Sequence, residues 1–266
     1  MARTTTRDLD LKDFIAEQAL MLGAGSTVLN QLAIKGVGLG VAEHSTTLAR
    51  PVDRLRTTLT YVYVMILGTD KERETIRRLV NKAHASVRSE GRYSAYDKDL
   101  QLWVAATLAH NGTFIYEKTF GSLDAASRDR IYRSAQIFGN ALQVDEALWP
   151  ETLSDFEVYW KETHGRMDSD PAVQAYVAKL LDTKSQPFVV RPLLRLQDLM
   201  SRGNVDPRVR EVLGLAWTAA DQRRYDRFWK VFPPIYRRIP RFIRQLPPRL
   251  ILAEMRLRMR FGRRVI

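Results

Sequence analysis

Apolar residues recur along this chain at intervals of three and four, and strict alternation of apolar and polar positions is almost absent. That is the helical period, with no βαβ rhythm, so the expected fold class is all-α: one multi-helix globular domain. A first helix is predicted from about Leu11 to Leu22, ending at Gly23-Ala24-Gly25. A second begins after Ser26 and runs to about Ile34, before the glycine-broken stretch Gly36-Val37-Gly38-Leu39-Gly40. These glycines are not a dinucleotide fingerprint, because no β-branched strand precedes them and the third comes too soon. They suit a close approach of backbone to backbone or to a flat ligand.

Pro51 opens a helix reaching Leu67, on which Arg54, Thr57, Thr58 and Tyr61 fall three and four apart on one face. That face is either the lining of a pocket or a solvated edge. Thr69 and Glu72 form a capping box, so the next helix starts near Lys71 and is expected to end before Gly91. Its apolar face reads Ile76, Leu79, Val80, Ala83 and Val87; His84 sits at the margin, flanked by Arg77, Asn81 and Arg88. A helix from about Asp97 to Ala109, apolar on several sides through Leu100, Leu102, Trp103, Val104 and Leu108, should be central and buried. Further helices are predicted at 125–142, 153–163, 171–181, 192–200, 207–225 and 228–238, and a last one from Arg249 to Arg264.

Chemistry is carried by few residues. The chain has no cysteine, which removes disulfides, iron–sulfur clusters, cysteine-type zinc sites and thiolate-ligated haem. Of the four histidines, His44, His84, His110 and His164, only His84 falls on a strongly patterned helix with apolar neighbours on its own face. His110, beside Asn111-Gly112, reads as an exposed residue at a helix end. A neutral imidazole among apolar groups is an iron ligand, or else a core histidine satisfied by one hydrogen bond. No Gly-x-Ser-x-Gly elbow, P-loop or His-Glu-x-x-His occurs, and Glu162-Thr163-His164 lacks the spacing of a carboxylate-bridged di-iron bundle.

At 266 residues the chain is long enough to bury a core around a macrocycle as one domain, with 45% hydrophobic and 27% charged residues. We expect residues 1–236 to form that domain and the arginine-rich segment 237–266 to dock on it. Net charge is +12, concentrated from Arg237 onward, where Glu254 is the single acid. On the last helix Arg249, Arg256, Arg260 and Arg263 make one stripe and Ile251, Leu252, Met255 and Met259 a neighbouring apolar one. Such a helix either lies on an anionic membrane surface or docks on its own domain. Nucleic acid is disfavoured, because aromatic residues do not interleave with the arginines. Met1 to Leu20 lacks a signal-peptide core, and the longest apolar-rich run, Tyr61 to Leu67, falls well short of a membrane span. A cytoplasmic protein is expected, with any membrane contact peripheral.

The order of Glu43-His44-Ser45, the segment 54–61, the His84 segment, Tyr93-Ser94-Ala95-Tyr96-Asp97, the segment 100–106 and Leu148-Trp149-Pro150 resembles the MpaB / rubber-oxygenase (latex-clearing protein) family from about Gly36 to the tail. The resemblance implies an all-helical domain enclosing a haem-sized pocket, with haem b as the iron cofactor and His84 as the proximal iron ligand. It also implies dioxygen-dependent cleavage of carbon–carbon double bonds in an apolar, isoprenoid or lipid-like substrate. Arg88 would hold haem propionates or stay in water; Tyr96 and Trp103 would stack on the macrocycle or pack in the core. Arg54, Thr57 and Thr58 would shape the distal side. Two departures stand out: Asn81 replaces an arginine three residues before the ligand, and Thr57 replaces a distal lysine. Glu43 is the nearest candidate base. The alternative of another class is a non-catalytic helical module that binds a membrane surface or an apolar ligand.

Overall fold

Short polar side chains set the helix starts. Thr69, Thr152 and Thr218 each open a helix with a reciprocal capping box, to Glu72, Asp155 and Asp221 respectively, and Asp97, Asp124, Asp170 and Asp206 cap others. Each cap satisfies amides that the first turn leaves without partners and contributes about 1 kcal/mol.

The computed structural model describes residues 8–168, 170–184 and 187–266; part of the amino-terminal reading, residues 1–7, lies outside them. The order is α1 (Leu11–Ile15), a 3-10 turn (Gln18–Gly23), α2 (Ala24–Leu32), α3 (Lys35–His44), α4 (Pro51–Leu67) and α5 (Asp70–His84). A ribbon of β1 (Arg88–Ser89) and β2 (Tyr93–Ser94) follows, then α6 (Lys98–Phe120), α7 (Ala125–Ala135), α8 (Ile137–Asn140) and a second 3-10 turn (Glu146–Leu148). The remainder is α9 (Leu153–Gly165), α10 (Pro171–Leu180), α11 (Arg191–Gly203), α12 (Pro207–Val212), α13 (Ala219–Tyr236), α14 (Arg241–Arg244) and α15 (Leu246–Arg260). The fold is all-α, and among the described residues one ribbon pairs Arg88 with Ser94 and Ser89 with Tyr93, antiparallel.

Central to the packing is α6, whose buried positions fall on more than one side: Leu102, Trp103, Ala106, Ala109, Ile115 and Tyr116 among them. It separates two clusters of apolar side chains. One gathers α1, α4, α7, α9 and α15 around Tyr63, Met65, Tyr132 and Met255; the other gathers α2, α3, α10 and α12 around Leu29, Trp103, Val177 and Val209. Tyr159 and Trp160 of α9 touch both.

Several boundaries differ from the periodicity. The helix expected over 11–22 is a short α-helix followed by a 3-10 turn. The glycine stretch is helical: α3 runs through Gly36, Gly38 and Gly40, because at Gly38 a Cβ would lie 2.6 Å from the Leu32 carbonyl oxygen and 2.8 Å from Val173. Close approach, anticipated from the glycines, thus occurs within a helix. α6 continues to Phe120 instead of stopping near Ala109: buried Asn111 donates to the Thr107 carbonyl 3.1 Å away, which keeps its amide in the helix instead of capping it. Residues 207–225 are two helices, because Gly214 adopts a left-handed φ of 66° and ends α12.

The carboxy-terminal helix lies on its own domain. Leu252 and Met255 are buried against α4, with Ile251 and Met259 packed beside them. Arg256 pairs with Glu72 of α5 at 2.7 Å, and Arg56 of α4 donates to the Val265 carbonyl at 2.6 Å.

Candidate functional site

The capping box at Thr69 fixes where α5 begins, and its last residue is His84. Expected to continue past Arg88, the helix instead gives way to a turn and β1, so Arg88 lies on an exposed ribbon strand and not one helical turn beyond the histidine. The chain must reverse at Gly91, whose φ of 68° closes the ribbon, and that reversal takes the place of a further turn of helix.

The His84 imidazole is largely enclosed. Its Nδ1 is shut off from solvent with no hydrogen-bond partner, and burial, followed by the charge of Arg54, holds its pKa below 6.5. α4 and α5 pack against each other, which places Arg54 within electrostatic reach of His84. At neutral pH the ring is therefore uncharged, the form that donates a lone pair to a metal. Among the described residues no three His, Asp or Glu side chains converge as metal ligands. A porphyrin needs no such set, since its own nitrogens supply four of the donors to iron and one imidazole completes the attachment.

On α4, Arg54 and Thr58 are exposed and Thr57 is half-buried. Both hydroxyls bond back into the helix, Thr57 to the Asp53 carbonyl at 2.8 Å and Thr58 to the Arg54 carbonyl at 3.0 Å. Tyr61, one turn further on, turns inward and donates to the Phe138 carbonyl at 2.8 Å. Val52 and Leu55, beside Arg54, are 79% and 45% exposed, so the outer end of α4 presents apolar groups around one cation.

Asn81, three residues before His84, is held on both of its oxygens. Its backbone carbonyl accepts from the Tyr96 hydroxyl at 2.8 Å, and its side-chain oxygen accepts from the Gln143 amide at 2.8 Å. Gln143 in turn receives a hydrogen bond from Gln101, whose own carbonyl accepts from the Gln143 backbone N–H at 2.9 Å. This chain locks α5, α6 and the segment after α8 around the histidine. Gln101 and Gln143 gave no sequence signal, since single glutamines have no characteristic spacing. Tyr96 is 40% exposed and acts here as a strut to α5.

Trp103 is 1% exposed and donates from its indole nitrogen to the Asn30 carbonyl at 3.0 Å. Around it lie Trp160, 4.9 Å between ring centres, Tyr159 and His164. The same cluster holds His110, which is not an exposed cap: it stacks on Trp160 at 3.8 Å and 12°, its Nδ1 is buried without a partner, and burial, aided by His164, pushes its pKa down to about 4. Continuation of α6 past Ala109 is what turns it inward. His164 Nδ1 lies 2.8 Å from the Trp160 carbonyl, which fixes its proton there.

Beyond the ribbon, Glu43 accepts from the Tyr93 hydroxyl at 2.5 Å and from Arg92 at 2.7 Å, and these bonds hold its carboxyl below the usual carboxylate range. With the Tyr93 proton committed to Glu43, His44 Nε2, 3.1 Å from that hydroxyl, is the donor of the remaining bond. A carboxylate so engaged is a poor proton acceptor. A cavity of about 190 Å³ lies beside the far end of α6, lined by Glu17, Tyr116, Phe120, Arg241 and Arg244 among others, and none of the residues singled out from the sequence borders it.

Residues 12–233 match the family described as ER-bound oxygenase mpaB/B'/Rubber oxygenase, catalytic domain. Two uncharacterized proteins, one from Mycobacterium bovis and one from Mycobacterium tuberculosis, are each 34% identical over 255 residues, covering 92% of this chain and 100% of theirs. No solved structure matches the chain. A match over most of the sequence, on an all-α framework, makes this an oxygenase-like domain, and the chain belongs to the mpaB/rubber oxygenase catalytic-domain family.

Proposed function

We propose that this protein is a b-type haem-dependent oxygenase that acts with dioxygen on an apolar unsaturated, isoprenoid or lipid-like substrate, with oxidative cleavage of a carbon–carbon double bond as the reaction. The observation that carries this reading is the His84 imidazole: enclosed, neutral and without a hydrogen-bond partner among the described residues. Nδ1 is the atom left unpaired, which is costly, and iron ligation at that nitrogen would offset the cost. The residues present therefore fit the group.

Bound haem would supply the iron at which dioxygen reacts. What this chain contributes is attachment and orientation. His84 would hold the iron, and the Asn81–Gln143–Gln101 chain would hold its helix in place. Arg54, within electrostatic reach of His84, would stabilise negative charge developing beside it, as a donor aimed at such charge does. Thr57 and Thr58 can rotate their hydroxyls from the helix carbonyls toward a ligand, at the cost of one weak bond each. Exposed Arg88 would pair with a propionate. Val52 and Leu55 offer an apolar substrate a surface beside Arg54, and the family description, which names a rubber oxygenase, agrees with an apolar chain as substrate. No residue is assigned as a general base, because Glu43 is held ionised by Tyr93 and Arg92.

The test is the absorption spectrum of the purified chain before and after addition of haem, for the natural sequence and for His84→Ala. A strong haem band that is lost in the variant, with the circular dichroism unchanged, supports the assignment. A normal haem spectrum in His84→Ala, or no haem uptake by the natural chain, overturns it and leaves a binding module as the reading.

A further inference from the structure

Docking of α15 settles its inner side and leaves its outer side in water. Residues Leu246, Leu250, Leu257 and Phe261 follow one another at i, i+4, i+11 and i+15, which confines them to about 60° of arc at 3.6 residues per turn. They are 47%, 58%, 55% and 64% exposed. Phe242 and Ile243 on α14, immediately before, are 67% and 47% exposed. Six large apolar side chains on two consecutive helices are thus unpartnered, a concentration that isolated surface leucines do not produce.

The net charge around them is positive. Arg238, Arg249, Arg260 and Arg263 have no carboxylate partner among the described residues, whereas Arg256 and Arg258 are paired with Glu72 and Glu254. Arg249 and Arg260 flank the apolar stripe. A groove of about 200 Å³ runs along the end of α15, lined by Leu257 and Phe261 together with Glu254, Arg258 and Arg263. Since Arg258 neutralises Glu254, the free charge at the groove is that of Arg263.

We propose that this face, α14 with the outer side of α15, docks on an anionic lipid bilayer surface. Phe242, Ile243, Leu246, Leu250, Leu257 and Phe261 enter the acyl boundary, and the four arginines meet lipid phosphates. Charge complementarity selects this occupant. A second copy of the same face would set arginine against arginine, and a nucleic acid backbone would leave the leucines without a partner. Among the described residues no helix is long and apolar enough to cross a membrane, so the contact is peripheral. The set differs from the one that periodicity suggested: Ile251, Leu252, Met255 and Met259 face the domain, and the membrane-facing residues lie on the opposite side of the same helix. The proposal rests on surface composition alone and is independent of the cofactor.

Cosedimentation of the full chain with vesicles tests it, comparing phosphatidylcholine alone with phosphatidylcholine containing phosphatidylglycerol. Binding is expected only to the anionic vesicles and should weaken as salt rises. A variant with Arg249→Ser, Arg260→Ser and Arg263→Ser should bind roughly a hundredfold more weakly, at about fivefold per charge. A second variant with Leu250→Ser, Leu257→Ser and Phe261→Ser should lose the binding that persists at physiological salt. All six positions are exposed, so both variants should keep the natural circular dichroism spectrum. Failure of the natural chain to sediment with anionic vesicles overturns the proposal, as does sedimentation of both folded variants equal to that of the natural chain. Concentration-dependent dimerisation that the apolar variant abolishes, without vesicle binding, would assign the face to a second copy instead.

Discussion

The guanidinium of Arg54 on α4 disfavours protonation of His84 on α5, adding to the larger effect of burial. Replacing it should move the histidine in a defined direction. In Arg54→Met the His84 pKa should rise toward 6.5 without reaching it, since burial remains. A nuclear magnetic resonance titration of the histidine ring protons checks this. If His84 binds iron, protons compete for the same lone pair, so haem loss on acidification should begin at a higher pH in the variant than in the natural chain.

Asn81 supplies an acceptor to Gln143 through its side chain. Asn81→Ala deletes that acceptor and should lower stability by about 1 kcal/mol, read as a lower urea midpoint with an unchanged slope. Asn81→Asp keeps the oxygen and should recover most of the loss. A shift in the haem spectrum of Asn81→Ala, absent in a distant variant of equal stability, would show that the chain of amides positions His84.

His110 makes stability depend on pH. Its folded pKa is about 4 against an ordinary 6.5, so the unfolded chain takes up a proton that the folded chain refuses. No effect is expected above about pH 6.5. Between pH 6.5 and 4 the penalty should grow to about 3 kcal/mol and then level off. His110→Phe preserves stacking on Trp160 and removes the titration; its melting temperature should fall less than that of the natural chain between pH 7 and pH 5.

Gly38 lets α3 cross Leu32 and α10 at contact distance. A methyl group there meets a backbone carbonyl as well as Val173, and the carbonyl has no freedom to yield. Gly38→Ala should therefore cost about 1–3 kcal/mol in chemical denaturation, despite the better helix propensity of alanine.

How much of this was legible in the chain differs by element. The helix opened by Pro51 and the capping box at Thr69 were readable because both signals are local and chemical. The end of α5 was not: Val87 and Arg88 continue the apolar and basic spacing, and only pairing with Tyr93-Ser94 pulls them into a ribbon. Continuation of α6 through His110-Asn111-Gly112 was hidden for the opposite reason, since Asn and Gly usually end helices and here are retained by burial. His84 stood out through spacing and family likeness together. Gln101 and Gln143 could not, because their role depends on a meeting between distant segments. The arginine-rich tail disclosed its charge at once, but which side of α15 faces outward is decided by packing on α4.

That packing orders events during synthesis. Arg56 of α4 is tied to the Val265 carbonyl across 209 positions, and Leu252 and Met255 complete the apolar cluster to which α4 belongs. At the usual 5–20 residues per second, the partner of α4 leaves the ribosome roughly ten to forty seconds after α4 itself. Throughout that interval the helix bearing Arg54 has Pro51 to start it and its own sequence pattern, but it lacks the surface that seats it. The His84 neighbourhood is accordingly a late product of folding, and any group it retains is captured by a chain that already carries α15.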